Sequence, residues 1–286
     1  NTPGFDPGIP SSSLGGPVSS FMNMTNAPNQ PDRPLAAVVL AAGKGTRMEG
    51  QRPKVAYEVN GRAMVQWVVD ALRTAGVQRV LLVVGYGADE VRSIFHDDDA
   101  IEYVVQAELL GTGHAVLCCR EALNGFDGDL VVLAGDGPLI RAETINTLLS
   151  THRQAGAAAT LATSVIDDPP VPGGIVRDEC GRFQAIIEHK NASDDIRAIH
   201  EVYPSYACFD SLALMDSLAN LPADDISGEY YLTEVPARLH ADGAIVEVVD
   251  AVPAEDVLSI NTPDQLAEVD AILRTRHHTP ATEASP

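Results

Sequence analysis

Short apolar runs that alternate with helical patterns constrain the fold of this chain more than any other feature. Leu35–Leu40 is a continuous apolar run, Arg79–Val84 is apolar after its first residue, and Met64 to Ala75 between them carries apolar residues at helical spacing. The alternation continues with predicted strands at Ile101–Val105 and Leu130–Leu133 and predicted helices at Thr112–Glu121 and Arg141–Arg153. Strands that are apolar on both faces need cover on both sides, so the pattern predicts a parallel sheet between two helical layers.

After Ala157 the sequence becomes richer in strand patterns. Further strands are predicted at Ala157–Ser164, Ile175–Arg177, Phe183–Ile187 and Tyr206–Phe209, and helices at Leu212–Leu221, Tyr230–Asp242 and Thr262–Leu273. The two ends are rich in Pro, Gly, Ser, Asn or Thr and show little periodicity. We therefore predict one α/β domain over residues 34–276, with a disordered leader (1–33) and tail (277–286).

The charge balance restricts the class of partner. The chain has 19 basic and 40 acidic residues, a formal net charge of −21. Such a field repels nucleic acid and anionic membranes, so a phosphate-bearing substrate needs a local basic pocket or a metal ion. The cysteines lack metal-site spacing, and neither a membrane-spanning stretch nor a signal peptide is recognisable. We expect a protein of the reducing cytoplasm.

The segment AAGKGTRMEGQRPK after the first strand is the best candidate for phosphate binding. Gly43 and Gly45 let the backbone curl around a phosphate chain and offer N–H donors to it. Four cations fall within eleven residues here, namely Lys44, Arg47, Arg52 and Lys54. The alternative is a flexible surface turn with solvated cations. The position after a buried strand, in a chain otherwise short of positive charge, favours polyphosphate binding.

Polar residues follow other predicted strands and face the same crevice, because the carboxyl ends of parallel strands meet at one edge. Asp136 follows Leu130–Leu133. Its carboxylate could cap a turn or a helix, or it could be a ligand of Mg²⁺. Asn261 precedes the last helix, as a cap or as a second metal ligand. Gln106 ends another strand, at an ordinary junction or as a hydrogen-bond partner of a nucleobase.

Together these segments resemble the uridyltransferase domain of bacterial N-acetylglucosamine-1-phosphate uridyltransferases, within the sugar-nucleotidyltransferase family. The matching stretches, in the family's order, are LAAGKGTRM, PKV, GRAMVQWVVDA, QAELLGTGHAV, GDGPLI, IIEHKNA, GEYYLTE and the Asn261 loop. The resemblance implies a Rossmann-like, three-layer α/β/α nucleotidyltransferase fold of the nucleotide-diphospho-sugar transferase type. It also implies Mg²⁺-dependent transfer from UTP to N-acetylglucosamine-1-phosphate, giving pyrophosphate and a nucleotide sugar for cell wall biosynthesis.

The resemblance also implies roles for individual positions. Arg47 and Lys54 would bind the triphosphate and stabilise the departing pyrophosphate, and Asp136 and Asn261 would be the Mg²⁺ ligands. The uridine would be held by the backbone of Leu40, Ala41, Ala42 and Gly43, together with Gln106, Gly111 and Thr112. The sugar would be held by Gly173 or Gly174, Glu188, Tyr231 and Thr233, with Tyr203 at the place of a sugar-contacting Asn. The histidines His114, His189 and His200 are expected to be structural or peripheral.

Departures from the family pattern concentrate in the half that would bind the sugar. Ala134 replaces an aromatic residue, Pro172-Gly173-Gly174 replaces Gly-Tyr-Gly, Tyr203 replaces Asn, and Asn191 replaces Asp. The alternatives are therefore the same chemistry on another sugar-1-phosphate or NTP, or a nucleotide-sugar-binding protein without catalysis. Cousins that transfer CMP or GMP, such as the methylerythritol-phosphate and molybdenum-cofactor nucleotidyltransferases, share the opening loop but lack GEYYLT.

The bifunctional members of that family continue into a left-handed β-helix acetyltransferase domain. No hexapeptide repeat follows the last predicted helix of this chain. We therefore expect no β-helix domain and no acetyl transfer in the chain studied, and the sequence leaves its oligomeric state open.

Overall fold

A computed structural model describes residues 33–48, 50–167, 174–187 and 199–278 of the chain. Its strands are β1 (Leu35–Ala41), β2 (Glu58–Val59), β3 (Arg62–Ala63), β4 (Arg79–Val84), β5 (Ile101–Val105), β6 (Asp129–Ala134), β7 (Ala159–Val165), β8 (Gly174–Arg177), β9 (Phe183–Ile187), β10 (Glu201–Asp210) and β11 (Val246–Asp250). The β2–β3 and β8–β9 pairs form separate two-stranded sheets, and the other strands form one seven-stranded sheet.

The α-helices of the described residues are α1 (Met64–Thr74), α2 (Ala88–Ile94), α3 (Thr112–Leu117), α4 (Ala142–Ala155), α5 (Ser211–Ala219), α6 (Val235–Ala241) and α7 (Pro263–His278). Short 3₁₀ turns lie among them, for example at Thr46–Met48 and Leu232–Glu234. None of these helices is both long and apolar enough to pass through a bilayer.

The strand order of the main sheet is β11-β7-β10-β6-β1-β4-β5. All neighbouring pairs are parallel except those of β10, which is antiparallel to both β6 and β7. The parallel sheet predicted from the strands before Ala157 is therefore confirmed, and the antiparallel β10 belongs to the strand-rich part that follows. A strand that is buried on both faces is apolar whichever way it runs, so its hydrophobic pattern carries no information about its direction.

Helices cover both faces of the main sheet, which confirms the predicted three-layer α/β/α class. Alternate side chains of β1 point to opposite faces, so Ala37 and Val39 join one core cluster while Ala36 and Val38 join the other. The first cluster includes apolar residues of α1 and α4, and the second includes those of α3, α5 and α6. A third, smaller cluster lies between α7 and the Met48–Met64 region. The described residues contain no β-helix.

Three elements were not predicted from the sequence, namely α2, the β2–β3 hairpin and β11. Helix α2 buries only Val91 among polar neighbours, so its apolar period is weak. The β2–β3 hairpin has strands of two residues each, too short to show a period. Strand β11 is half-buried along most of its length, and it pairs only with β7. The predicted helix from Thr112 was too long, because α3 ends at Leu117 and continues as a 3₁₀ turn.

At each end, the described residues extend slightly past the predicted limits of the domain, 34 and 276. Arg33, assigned to the leader, forms ion pairs with Asp127 and Asp210 at 3.0 and 2.7 Å. At the other end, α7 extends to His278, two residues into the predicted tail. The rest of the leader and of the tail lies outside the described residues, so the predicted disorder there stays a prediction.

Candidate functional site

The sheet topology creates a crevice at the carboxyl ends of β1 and β6. From β1 the chain adds β4 and β5 on one side, and then crosses to place β6 on the other side. Loops that leave the two strands on either side of such a crossing diverge and leave room for a ligand. The loop after β1 begins at Ala42 and the loop after β6 begins at Gly135, whose N–H donates to the Leu40 carbonyl at 2.9 Å.

The glycine-rich loop after β1 folds back onto the segment that contains Lys54. Gly45 has a φ of +65°, and a Cβ there would lie 2.7 Å from the Lys54 Cβ, so the position requires glycine. The Lys54 N–H donates to the Gly43 carbonyl at 3.4 Å, and the Met48 N–H to the Gly45 carbonyl at 2.9 Å. The loop is therefore held by its own backbone, and it delivers Arg47 and Lys54 to one side of the crevice.

A cavity of about 480 Å³ occupies this crevice. Three of the cations of the loop line it, namely Lys44, Arg47 and Lys54. Arg52 does not, because its guanidinium pairs with Glu90 of α2 at 2.5 Å. The Lys44 ammonium also stands 5.2 Å from the centre of the Tyr86 ring. The cavity is therefore locally basic within a strongly acidic protein, as a site for a phosphate chain requires.

Lys54 joins the two predicted metal ligands, Asp136 and Asn261. Its ammonium donates to Asp136 Oδ2 and, at 2.7 Å, to Asn261 Oδ1. Arg47 Nη2 donates to the same Asn261 oxygen at 2.8 Å. The Ile260 N–H donates to the Asp136 carbonyl at 3.1 Å, which ties the loop before α7 to the loop after β6. Residues more than 200 positions apart along the chain thus meet at one point.

The donor set at this point fits a hard divalent cation. Asn261 Nδ2 donates to Ser259 Oγ at 3.2 Å, and this bond leaves the amide oxygen directed at Lys54. The Asp136 and Asn261 oxygens therefore converge on one position, which a positively charged Lys54 ammonium contacts in this structure. One or two protein oxygens, completed by phosphate oxygens and water, are what Mg²⁺ prefers in nucleotide sites. Below them, burial and the nearby Asp136 carboxylate raise the pKa of Tyr206, which stays a neutral phenol.

The opposite wall of the cavity comes from β5 and the start of α3. Gln106 is 4% exposed, and its side-chain Nε2 donates to the Gly111 carbonyl at 3.0 Å. Gly111 has a φ of +97°, and a Cβ there would lie 2.6 Å from the Tyr230 carbonyl oxygen. Thr112 Oγ1 accepts the Leu232 N–H at 3.0 Å. The 111–114 turn is therefore packed against the 229–232 segment, and both face the cavity.

The structure brings most of the predicted nucleotide, phosphate and metal residues together around this cavity. Its lining includes Leu40, Ala42, Gly43, Arg47, Lys54, Gln106, Gly111, Thr112, Asp136, Tyr231 and Asn261. Ala41 is not in that lining, since its side chain points into the core on the α1 and α4 side of the sheet, and the role predicted for its backbone stays a prediction. Neighbouring strand residues point to opposite faces, so Leu40 and Ala41 cannot both face one ligand with their side chains.

The predicted sugar-binding residues are more dispersed. Of those that the structure describes, only Tyr231 lines the cavity, and its hydroxyl donates to Ser227 Oγ at 2.9 Å. Gly174 begins β8, Tyr203 lies on β10 against the second core cluster, and Thr233 lies in a 3₁₀ turn. Gly173 and Glu188 fall outside the described residues. The assignment of Gly174, Tyr203 and Thr233 to a sugar pocket therefore stays a prediction.

Several residues that line the cavity were not assigned a role from the sequence. They are Thr46, Val55, Leu109, Ala115 and Glu229. All of them lie within or beside stretches that carry the family resemblance, such as AELLGTGHA and GEYYLTE. Their position within or beside a matched stretch could therefore have identified them as candidates for the cavity lining. Which members of a stretch face the ligand depends on local backbone conformation, which residue types do not reveal.

A three-layer α/β fold with a glycine loop, a basic crevice and converging hard oxygens defines a protein that binds a nucleoside polyphosphate. The chain belongs to the family of MobA-like NTP transferase domains, whose model matches residues 37–217. The match covers the crevice strands, and it ends before the GEYYLT segment at 228–233.

Curated relatives extend the comparison to most of the described chain. A bifunctional protein GlmU of Geobacillus sp. (strain WCH70) is 42% identical over 240 residues, which are 84% of this chain and 52% of that protein. The protein of the same name from Pelobacter propionicus is 40% identical over 242 residues, covering 85% and 53%. The chain spans about half the length of these relatives. The resemblance drawn from the sequence motifs is thereby confirmed, and with it the nucleotidyltransferase class.

Proposed function

We propose that this chain transfers a uridylyl group from UTP to N-acetylglucosamine-1-phosphate, giving UDP-N-acetylglucosamine and pyrophosphate with the help of Mg²⁺. The observation that carries the proposal is the meeting of Arg47 and Lys54 with Asp136 and Asn261 beside the glycine loop. The resemblance of the sequence motifs to N-acetylglucosamine-1-phosphate uridyltransferases supports the choice of nucleotide and sugar, and the relatives named GlmU support the sugar-1-phosphate nucleotidyltransferase class.

The reaction fits a site without a general base. An oxygen of the sugar phosphate, already an anion near neutral pH, attacks the α-phosphorus of UTP. The bond between the α-phosphorus and the oxygen bridging to the β-phosphorus breaks, and pyrophosphate leaves with that oxygen. The protein has to align the two anions and neutralise charge on the equatorial and leaving oxygens. Cations and hard oxygens are the residue types that this work requires.

The chain's own residues divide this work between them. Arg47 and Lys54 stand on the side of the glycine loop, where they would bind the β- and γ-phosphates and stabilise the leaving group. Asp136 and Asn261 would hold Mg²⁺, which supplies Lewis-acid neutralisation of phosphate charge when bound. Lys54, whose ammonium contacts these oxygens here, would then be available to bind phosphate. Gln106, Gly111 and Thr112 would face the base and ribose from the opposite wall.

The first experiment measures pyrophosphate release from UTP and N-acetylglucosamine-1-phosphate, with Mg²⁺ and then with EDTA. We expect release that depends on both substrates and on the metal. Asp136→Ala should abolish it, because the only carboxylate in the converging oxygen pair is removed. Asp89→Ala is the matched control, since the Asp89 side chain is fully exposed on α2 and should leave release unchanged.

Each failure of this experiment has its own meaning. Release only with another sugar-1-phosphate or NTP would change the substrate, and Ala134 in the cavity wall is the observation that favours testing other sugars. Tight binding of UDP-sugars without any release would replace catalysis by a binding role. Normal turnover by Asp136→Ala would contradict the metal assignment.

A further inference from the structure

His114 contacts the buried wall of the cavity without being part of the cavity lining. Its Nδ1 lies 3.1 Å from Gln106 Nε2, the same nitrogen that donates to the Gly111 carbonyl at 3.0 Å. Its Nε2 lies 3.9 Å from Cys118 Sγ, and its ring centre lies 6.4 Å from that of Tyr230. The ring is therefore held on three sides by Gln106, α3 and the 229–232 segment.

These contacts fix the orientation of the Gln106 amide. A backbone carbonyl only accepts hydrogen bonds, so the Gly111 oxygen must face the amide nitrogen and not the amide oxygen. The second N–H of the same nitrogen then meets His114 Nδ1, which must accept it. In the neutral imidazole the proton consequently resides on Nε2, which faces the Cys118 sulfur. Both amide N–H groups are used within the protein.

The orientation decides what Gln106 offers to a ligand. Gln106 lines the cavity, and with both N–H groups engaged its Oε1 is the amide atom left for a base. That oxygen accepts from a ring N–H, such as N3–H of uracil. Cytosine carries a lone pair at N3 and would place an acceptor against an acceptor. We propose that His114 is a positioning residue that holds the Gln106 amide so that the site favours an N–H-bearing pyrimidine over cytosine.

This inference rests on the proposed function, because it concerns the base of the nucleotide that the site would use. Without an acceptor at residue 114, the second N–H of Gln106 is left unpaired in a position that is 4% exposed. An unpaired buried N–H is unfavourable, and the bond to the Gly111 carbonyl is then the one described hydrogen bond that keeps the amide nitrogen from turning toward the cavity. The rotated amide presents a donor to the base, which suits cytosine and opposes uracil.

A matched pair of variants tests the role of the acceptor. His114→Asn keeps an oxygen near the position of Nδ1, whereas His114→Leu has a similar branched shape and no acceptor. We expect His114→Leu to raise the KM for UTP and to lower the UTP-to-CTP ratio of kcat/KM, each by about ten-fold, with kcat for UTP unchanged. His114→Asn should restore most of that ratio. His114→Phe, which keeps a ring beside Tyr230, replaces the Leu variant if that variant does not fold.

Calorimetric titration of UTP and CTP without the sugar phosphate separates the possible failures. A wild-type protein that binds neither nucleotide and releases no pyrophosphate would overturn both the proposed function and this inference. A working wild type whose UTP-to-CTP preference survives in the Leu and Phe variants would overturn the inference alone. Equal loss of preference in the Asn and Leu variants would also overturn it, because the acceptor would then not be the cause.

Discussion

At the residue scale, the cations after β1 divide into two groups with different surroundings. Lys44, Arg47 and Lys54 face the cavity, while Arg52 turns to the surface and pairs with Glu90. The sequence predicts a phosphate-binding cluster of cations here, because the four residues are close together and the rest of the chain is acidic. It cannot separate Arg52 from Arg47, since the direction of each side chain is set by the folded loop and by contacts with α2.

The two arginines allow a controlled test of this division. Arg47→Met should lower kcat/KM for pyrophosphate release by about 100-fold, because one cation that faces the transferring phosphates is lost. Arg52→Met removes the same charge from the same segment, and it should leave the rate unchanged because Arg52 lies outside the cavity. Steady-state kinetics with UTP as the varied substrate makes the comparison. Similar losses in the two variants would mean that net charge, and not position, accounts for the effect.

At the scale of elements, helix α5 shows how one residue joins a strand to a helix. Asp210 ends β10 and caps α5, because its Oδ1 accepts the Ala213 N–H at 2.9 Å. Its Oδ2 pairs with Arg33 at 2.7 Å. Burial acts to raise the pKa of Asp210, but the Ala213 N–H and the Arg33 guanidinium outweigh it and hold the pKa below its usual value. The charged form is therefore stabilised by folding.

This cap predicts a pH-dependent stability difference. Asp210→Ala should lower the free energy of unfolding by about 1 kcal/mol at pH 7. Because the folded pKa lies below the unfolded one, the contribution is complete above about pH 4 and is lost as the pH falls through the folded pKa. Urea unfolding at several pH values should show the difference from wild type shrinking in acid.

A control for the cap lies on the same helix. Asp216 is an exposed carboxylate of α5, and Asp216→Ala removes an equal charge without removing a cap. It should change the free energy of unfolding little at any of these pH values. If the difference in unfolding free energy between Asp210→Ala and wild type were the same at every pH, the ionised carboxylate would not be the source of the stabilisation.

At the scale of the whole molecule, the excess of acidic residues acts against the compact state. A net charge of −21 on a 286-residue chain gives mutual repulsion that folding concentrates. Ion pairs such as Arg153–Asp129 at 2.6 Å offset it locally, but there are about half as many basic as acidic residues to form them. The same field explains why the cavity needs its own cations to attract a polyanion.

Screening this repulsion should stabilise the protein. Raising NaCl from 0.01 M to 0.1 M shortens the Debye length from about 30 Å to about 10 Å, so long-range repulsion weakens more than contact ion pairs do. We expect the midpoint of thermal unfolding to rise over this range, measured by circular dichroism. Sucrose at matched osmolality is the control for effects that are not ionic. A falling midpoint would mean that local ion pairs contribute more than the net charge opposes.

The sequence alone determined the local elements and the chemical character of the site. Strands β4, β5 and β9 have the predicted bounds, because a short apolar run between turn residues has few other ways to bury its side chains. The glycines after β1 and the cations among them also predict a phosphate-binding loop without knowledge of the fold. These signals lie within a few residues of each other, so the pattern alone carries them.

Only the tertiary structure decided which distant residues share the site. The contact of Arg47 with Asn261 joins positions 214 apart in the chain, and it depends on α7 packing beside the loop after β6. The tertiary structure likewise determines three other features. They are the antiparallel direction of β10, the surface orientation of Arg52 and the pairing of His114 with Gln106. Each depends on packing between elements, and local hydrophobic periodicity carries no information about which partner an element will meet.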